Sequence, residues 1–211
     1  MALEEIEITK DRGRALWKIE EDEDELRKMI GAVDPIPASV HNPKKRMEWL
    51  AGRVVVKAIL EQLGLTFKGI VKDEFGKPFP KAYDYQLSLS HSYPYVTALV
   101  DREPPTGIDL EQPKEKLLRI APRVFRHDEL KDAGSDITKL CIYWCAKEAL
   151  IKVYGKKDLT LAENLIISPF SRESEGNILG SIIVKDVETI IPLYYKVYPN
   201  FVVVYTKRNA S

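Results

Sequence analysis

Apolar and polar positions alternate over residues 5–9 and 15–20, which predicts two short strands closing a hairpin about Asp11-Arg12-Gly13. The acidic run at 20–25 that follows reads as a helix start, where carboxylates favour the positive end of the helix dipole. Pro35, Pro37 and Pro43 then break the chain, and Pro43 suits the first turn of a long helix ending near Gly64. Met47, Leu50, Val54 and Ala58 recur along it at helical spacing, with Trp49, Val56, Leu60 and Leu63 as a second stripe, so that helix is expected to be buried over much of its circumference. Residues 88–91 and 95–100 read as strands joined around Pro94, and 107–111 as another strand. Residues 119–131 read as helical in pieces. A second long helix is expected from an N-cap at Ser135 to Tyr154, with Gly155 as its stop. Strands follow near 165–167, 178–184, 194–197 and 201–205. Each half thus offers one long helix and several antiparallel strands, an α+β pattern, with the best boundary at residues 101–105.

Composition narrows the function without naming it. The 211 residues carry 32 Lys plus Arg against 32 Asp plus Glu, a balance that disfavours a generic polyanion binder. A hydrophobic fraction of 45% is enough for a sizeable core. No apolar run approaches the roughly 20 residues of a spanning helix. The start Met1-Ala2-Leu3-Glu4-Glu5 is acidic where a secretory signal would be basic, so a cytoplasmic protein with no membrane partner is expected. Cys141 and Cys145, four apart on a helix without further Cys or His ligands, read as small buried side chains.

The candidate chemistry is acidic and basic together. Asp109 and Glu111 stand two apart in a strand, so both carboxylates point to one face. Like charges side by side call for a counter-charge, and Mg²⁺ held by carboxylates and substrate phosphates would supply one; two solvated carboxylates on an edge strand explain the spacing equally. Trp144, Glu148 and Lys152 fall on one helical stripe, where an exposed Glu–Lys pair is the simpler reading. His91 sits between two serines at a strand end. Gly76-Lys77-Pro78 lacks the spacing of a phosphate-binding loop, which disfavours a nucleotide triphosphatase, although Lys77 could still clamp a phosphate. Lys44, Lys45 and Arg46 crowd a helix N-terminus, with Arg53 two turns on, where an anion would suit them better than the bare dipole, although a solvent-facing charged helix face is the simpler reading.

In this order the stretches Gly76-Lys77-Pro78, Ser88-Leu89-Ser90-His91-Ser92, Gly107-Ile108-Asp109-Leu110-Glu111 and Trp144-Cys145-Ala146-Lys147-Glu148-Ala149-Leu150-Ile151-Lys152 resemble the 4'-phosphopantetheinyl transferases, specifically the larger monomeric class typified by the enzyme that activates surfactin synthetase. The helix around Arg46 to Arg53 looks familial too, and the resemblance covers roughly residues 40–160. It implies two similar α+β halves, at about 1–103 and 104–211, related by pseudo-two-fold symmetry with the active site in the cleft between them. It implies transfer of the phosphopantetheine arm of coenzyme A to a serine of an acyl- or peptidyl-carrier protein, with release of 3',5'-ADP, as in fatty acid or polyketide biosynthesis. By the same resemblance Asp109, Glu111 and Glu148 would hold Mg²⁺. Arg46, Arg53, Lys77, Pro78, Ser90, His91, Asp109 and Lys152 would contact the coenzyme, and Glu148, Lys152 and His91 would serve catalysis. A monomer without nucleic-acid partners is implied, and carrier docking falls between Pro113 and Ser135, where Leu117, Leu118 and Val124 could meet an apolar helix and Arg119, Arg123 and Arg126 its acids. A core-facing amphipathic helix would explain that last pattern as well. The rival readings are a Mg²⁺-dependent phosphodiesterase or nuclease and a non-catalytic coenzyme- or carrier-binding module.

Overall fold

The computed structural model describes residues 3–156 and 158–208. The chain folds as two compact units, Met1–Thr106 and Gly107–Ser211. In the first, β1 (Leu3–Thr9) and β2 (Arg12–Lys18) form the expected hairpin. Helix α1 (Glu23–Ile30) follows, opened by a capping box between Asp22 and Glu25. Helix α2 (Pro43–Gln62) has Asn42 as its N-cap and Pro43 in its first turn. The short strands β3 (Ile70–Lys72) and β4 (Pro78–Pro80) pair with each other, and β5 (Gln86–Ser92) turns into β6 (Tyr95–Asp101). The four long strands form an antiparallel sheet in the order β1-β2-β6-β5. Leu50, Ala51, Val54, Val55, Ile59 and Leu60 of α2 pack with Ala15, Trp17, Leu87 and Val96 of that sheet in one core.

The second unit repeats the scheme of helix on antiparallel sheet. It contains β7 (Ile108–Glu111), α3 (Lys116–Val124), α4 (His127–Ala133), α5 (Ile137–Tyr154), α6 (Leu161–Asn164), β8 (Leu165–Ile167), β9 (Glu175–Val184), β10 (Val187–Val197) and β11 (Val202–Thr206). Its sheet order is β7-β11-β10-β9-β8. Mixed helix and sheet in segregated layers is the expected α+β class.

Two local expectations change. The N-cap of α5 is Asp136, not Ser135: the Asp136 carboxylate accepts the Lys139 backbone N–H at 3.0 Å. Strand β10 begins at Val187, seven residues ahead of its expected start. The β9–β10 turn is made by Lys185 and Asp186, both at positive φ, without the glycine that usually marks such a turn. Pro192 sits inside β10 opposite Leu179. Gly155 does end α5, at φ 79°.

Helix α5 is the hub of this unit, buried from Leu140 to Leu150 over most of its surface. Cys141 and Cys145 are free thiols in its core. Lys147, fully buried, meets Glu129 of α4 at 2.6 Å and donates to the carbonyls of Val124, Leu161 and Leu165. Glu129 in turn accepts the N–H groups of Arg126 and Ile167. One buried ion pair therefore satisfies the ends of α3, α4 and α6 and the start of β8, with every charge-bearing atom given a partner.

Candidate active site

Strand β7 begins where the chain leaves the first unit, and backbone contact fixes it there. A Cβ on Gly107 would lie 2.2 Å from the Ala149 carbonyl oxygen, so only glycine lets the strand lie this close to α5. Thr206 of β11 holds it from the other side, through its N–H to the Gly107 carbonyl and its Oγ1 accepting the Gly107 N–H. Asp109, two residues on, is buried, and Lys152 of α5 donates to its Oδ1 at 2.7 Å and to the Ile108 carbonyl at 2.8 Å. Lys152 thus pairs across to the strand instead of along the helix with Glu148.

Glu148, one turn earlier, is partly buried and makes no hydrogen bond or ion pair with the described residues. Burial first, and then the Asp109 charge, push its carboxyl above the ordinary value, with Lys152 pulling it back. Glu111 closes β7. Its Oε1 accepts the Gln112 N–H at 2.9 Å and its Oε2 lies 4.0 Å from Lys116. The structure thus brings Asp109, Glu148 and Lys152 together. Among the described residues, no group of three or more His, Cys, Asp and Glu side chains is placed to hold a metal ion. Two hard-oxygen donors, one of them without a hydrogen-bonding partner and both in a locally negative site, nonetheless suit Mg²⁺, which commonly takes one or two carboxylates and completes its shell with phosphate oxygens and water.

The other predicted residues lie in the first unit. A cavity of about 330 Å³ there is lined by Lys45, Trp49 and Arg53 of α2, by Lys72, Gly76 and Pro78, and by Ser90 and His91 of β5. Arg53 pairs with Asp34 at 3.0 Å and stacks on Trp49 at 3.4 Å from the ring centre, presenting a fixed guanidinium to the cavity. Lys77 is half-buried beside the cavity's Gly76 and Pro78, and burial lowers the pKa of its ammonium. Arg46 is turned elsewhere: it forms a two-toothed pair with Glu23 of α1 and does not line this cavity. His91 approaches Glu48 of α2, its Nδ1 3.3 Å from Oε2, and Lys45 holds the same oxygen at 2.7 Å.

Glu48 is the residue that sequence reasoning passed over. The signal was present: a single carboxylate between Met47 and Leu50, on a stretch whose neighbours are core, is rarely buried without a partner. Cations, a buried acid and a histidine thus line one cavity, an arrangement whose chemistry suits an anionic group.

Residues 105–194 match the sequence model of the 4'-phosphopantetheinyl transferase superfamily. Among curated proteins, the chain is similar to the 4'-phosphopantetheinyl transferase gsp of Aneurinibacillus migulanus, 30% identical over 123 residues, which cover 54% of this chain and 51% of that protein. It is 34% identical over 116 residues to the 4'-phosphopantetheinyl transferase psf-1 of Bacillus pumilus, covering 51% and 49%. It is 30% identical over 131 residues to the 4'-phosphopantetheinyl transferase AcpT of Salmonella typhi, covering 58% and 66%. The chain spans about half the length of the first two of these relatives.

Proposed function

We propose that this chain, which belongs to the 4'-phosphopantetheinyl transferase superfamily, moves the phosphopantetheine arm of coenzyme A onto a serine hydroxyl of an acyl- or peptidyl-carrier protein. The observation that carries the reading is Glu148: a partly buried carboxylate with no hydrogen-bonding partner, its proton affinity raised, beside the Asp109–Lys152 pair. A phosphoryl transfer needs positioned charge more than covalent help, and these three groups are what such a step uses.

In the proposed reaction the carrier's serine oxygen attacks the pyrophosphate phosphorus that bears the pantetheine. The new P–O bond forms as the bond to 3',5'-ADP breaks. The hydroxyl proton passes to Glu148, whose proton affinity is raised by burial and by the Asp109 charge. Lys152 would lay its ammonium against the developing charge while holding Asp109 in place. Asp109 and Glu148 are the residues that would hold Mg²⁺, whose charge would offset that of the pyrophosphate, while the expected third ligand, Glu111, is not grouped with them. The cavity of the first unit, with Arg53, Lys77, Ser90 and His91 at or beside it, would take the phosphorylated nucleotide end. Arg46, committed to Glu23, has a structural role and is left out of that contact set.

Helix α3 supplies the surface proposed for the carrier. Leu117, Ala121 and Phe125 face the core, whereas Leu118, Arg119, Pro122, Arg123 and Arg126 are exposed. Its apolar stripe is core, and the outward leucine and arginines would suit an acidic helix.

The test is conversion of an apo carrier to its holo form by purified protein, coenzyme A and Mg²⁺, read by intact mass. The expected gain is one phosphopantetheine group per carrier, lost in Glu148→Gln at unchanged circular dichroism. A Glu148→Gln protein that converts carrier at the parent rate removes the proposed base, and failure across a panel of apo carriers removes the reaction.

A further inference from the structure

We propose that Asp34 is a positioning residue for the cavity of the first unit: a single carboxylate oxygen ties the Arg53 guanidinium to strand β3, setting two walls of the cavity together and leaving Nη2 of Arg53 for an anionic group of the ligand. The inference rests on the reading of that cavity as the coenzyme's nucleotide site.

Asp34 lies in the loop between α1 and α2 and does not itself line the cavity. Its Oδ2 accepts Nε–H of Arg53 at 3.0 Å and the backbone N–H of Ile70 at 3.2 Å. One oxygen therefore joins the loop, helix α2 and strand β3.

Arg53 is held on three counts. Besides the bond from Nε, its Nη1 donates to the Trp49 carbonyl at 3.3 Å, and the Trp49 ring lies against the flat face of the guanidinium. Nη2 hydrogen-bonds to none of the described residues. A planar group fixed at two nitrogens and one face has a single orientation, so a ligand need not freeze a long side chain in order to use it. Burial lowers the pKa of the guanidinium and the Asp34 charge pulls it back, yet arginine starts so high that it stays protonated at neutral pH. What Asp34 sets is therefore placement, not charge.

Strands β3 and β4, three residues each, form a two-stranded sheet that leaves Val71 exposed. A ribbon this short is marginal by itself. Ile70 stands opposite Pro80 in it and packs its side chain on the core of the unit, while its N–H crosses to Asp34. Ile70, Lys72, Gly76 and Pro78, the cavity's lining from this ribbon and its turn, thus depend on the same carboxylate as Arg53.

The first measurement needs no coenzyme. By ¹⁵N NMR of the parent, Nε–H of Arg53 and the Ile70 amide are expected to exchange slowly with solvent, and to exchange about tenfold faster or more in Asp34→Ala. A parent Nε–H that exchanges like that of free arginine overturns the inference, whether or not any variant folds.

The second measurement follows coenzyme A by calorimetry and by KM and kcat for carrier conversion. Asp34→Ala is expected to weaken binding by about tenfold or more, on KM with kcat held. Asp34→Asn, whose amide oxygen can accept both bonds, should recover most of that loss. In an Arg53→Met background Asp34→Ala should cost much less, because the two side chains act as one. Parental affinity in Asp34→Ala, an asparagine variant no better than the alanine, or losses that simply add would each overturn the proposal. Absence of coenzyme binding to the parent would instead defeat the reading of the cavity, while the exchange measurement still judges the role of Asp34.

Discussion

Lys147 and Glu129 meet at 2.6 Å with essentially no exposure to solvent, one residue along the chain from the carboxylate proposed as the base. Removing one partner of such a pair strands the other charge in the core. Lys147→Met is therefore expected to destabilise the second unit by about 3–5 kcal/mol, seen as a lower midpoint in urea. Replacing both, as Lys147→Met with Glu129→Leu, should recover much of that loss, because two apolar side chains leave no buried charge. A single variant as stable as the parent would show that the pair contributes nothing to holding α4, α6 and β8 on α5.

Gly107→Ala tests the close approach of β7 to α5. The added methyl meets a backbone oxygen at 2.2 Å, and backbone cannot swing away as a side chain can. A cost of about 1–3 kcal/mol or more is expected, with β7 displaced and Asp109 moved from Lys152. Thermal melting reads the first effect and carrier conversion the second. A variant that melts with the parent would mean that β7 and α5 part without penalty.

Lys152→Met should leave the fold intact and reduce kcat by about 100-fold, the usual order for losing one donor aimed at developing charge. Steady-state conversion of a single apo carrier measures it. Full activity in the variant would restrict Lys152 to bracing Asp109.

The Glu23–Arg46 pair fixes a pH response. Hydrogen bonds from Arg46, then from Arg27, depress the Glu23 carboxyl to about 2. A carboxyl lowered on folding adds stability that is present above its unfolded value of 4.5 and is lost as pH falls from there through about 2. Both partners are partly exposed, so the effect is modest and weakens with salt. Glu23→Gln should melt lower than the parent at pH 7 and converge with it near pH 2, as differential scanning calorimetry can follow.

Reversing charge at Arg119 and Arg123 together should raise the KM for an acidic carrier by about tenfold or more at low salt, with kcat held and the difference shrinking as salt is added. An unchanged KM would place the docking surface elsewhere.

Much of this was legible because the periodicities are strong. Helices α2 and α5 announce themselves by apolar spacing and by Pro43 and Gly155, and strand β7 by its alternation. The acids and the lysine of the second unit stand in motifs that spacing alone places on one strand and one helix stripe. Their partners are another matter. That Lys152 reaches Asp109 and leaves Glu148 unpaired depends on how closely α5 crosses β7, which is set by the absent side chain of Gly107 and by no periodicity. Arg46 looked like a ligand contact because its partner Glu23 lies 23 positions earlier, on another helix. Strand β10 stayed partly hidden because a turn at positive φ was built without glycine. Ser135 lost the N-cap to Asp136, since either side chain can cap and only the local backbone decides between them.

The strand that carries Asp109 lies at the edge of its sheet, and its partner in that sheet is β11, residues 202–206, nearly a hundred positions later. During synthesis the acid leaves the ribosome long before the segment that will hold it in register. The place of Asp109 beside Lys152 is therefore framed only once those late residues have emerged and paired with β7.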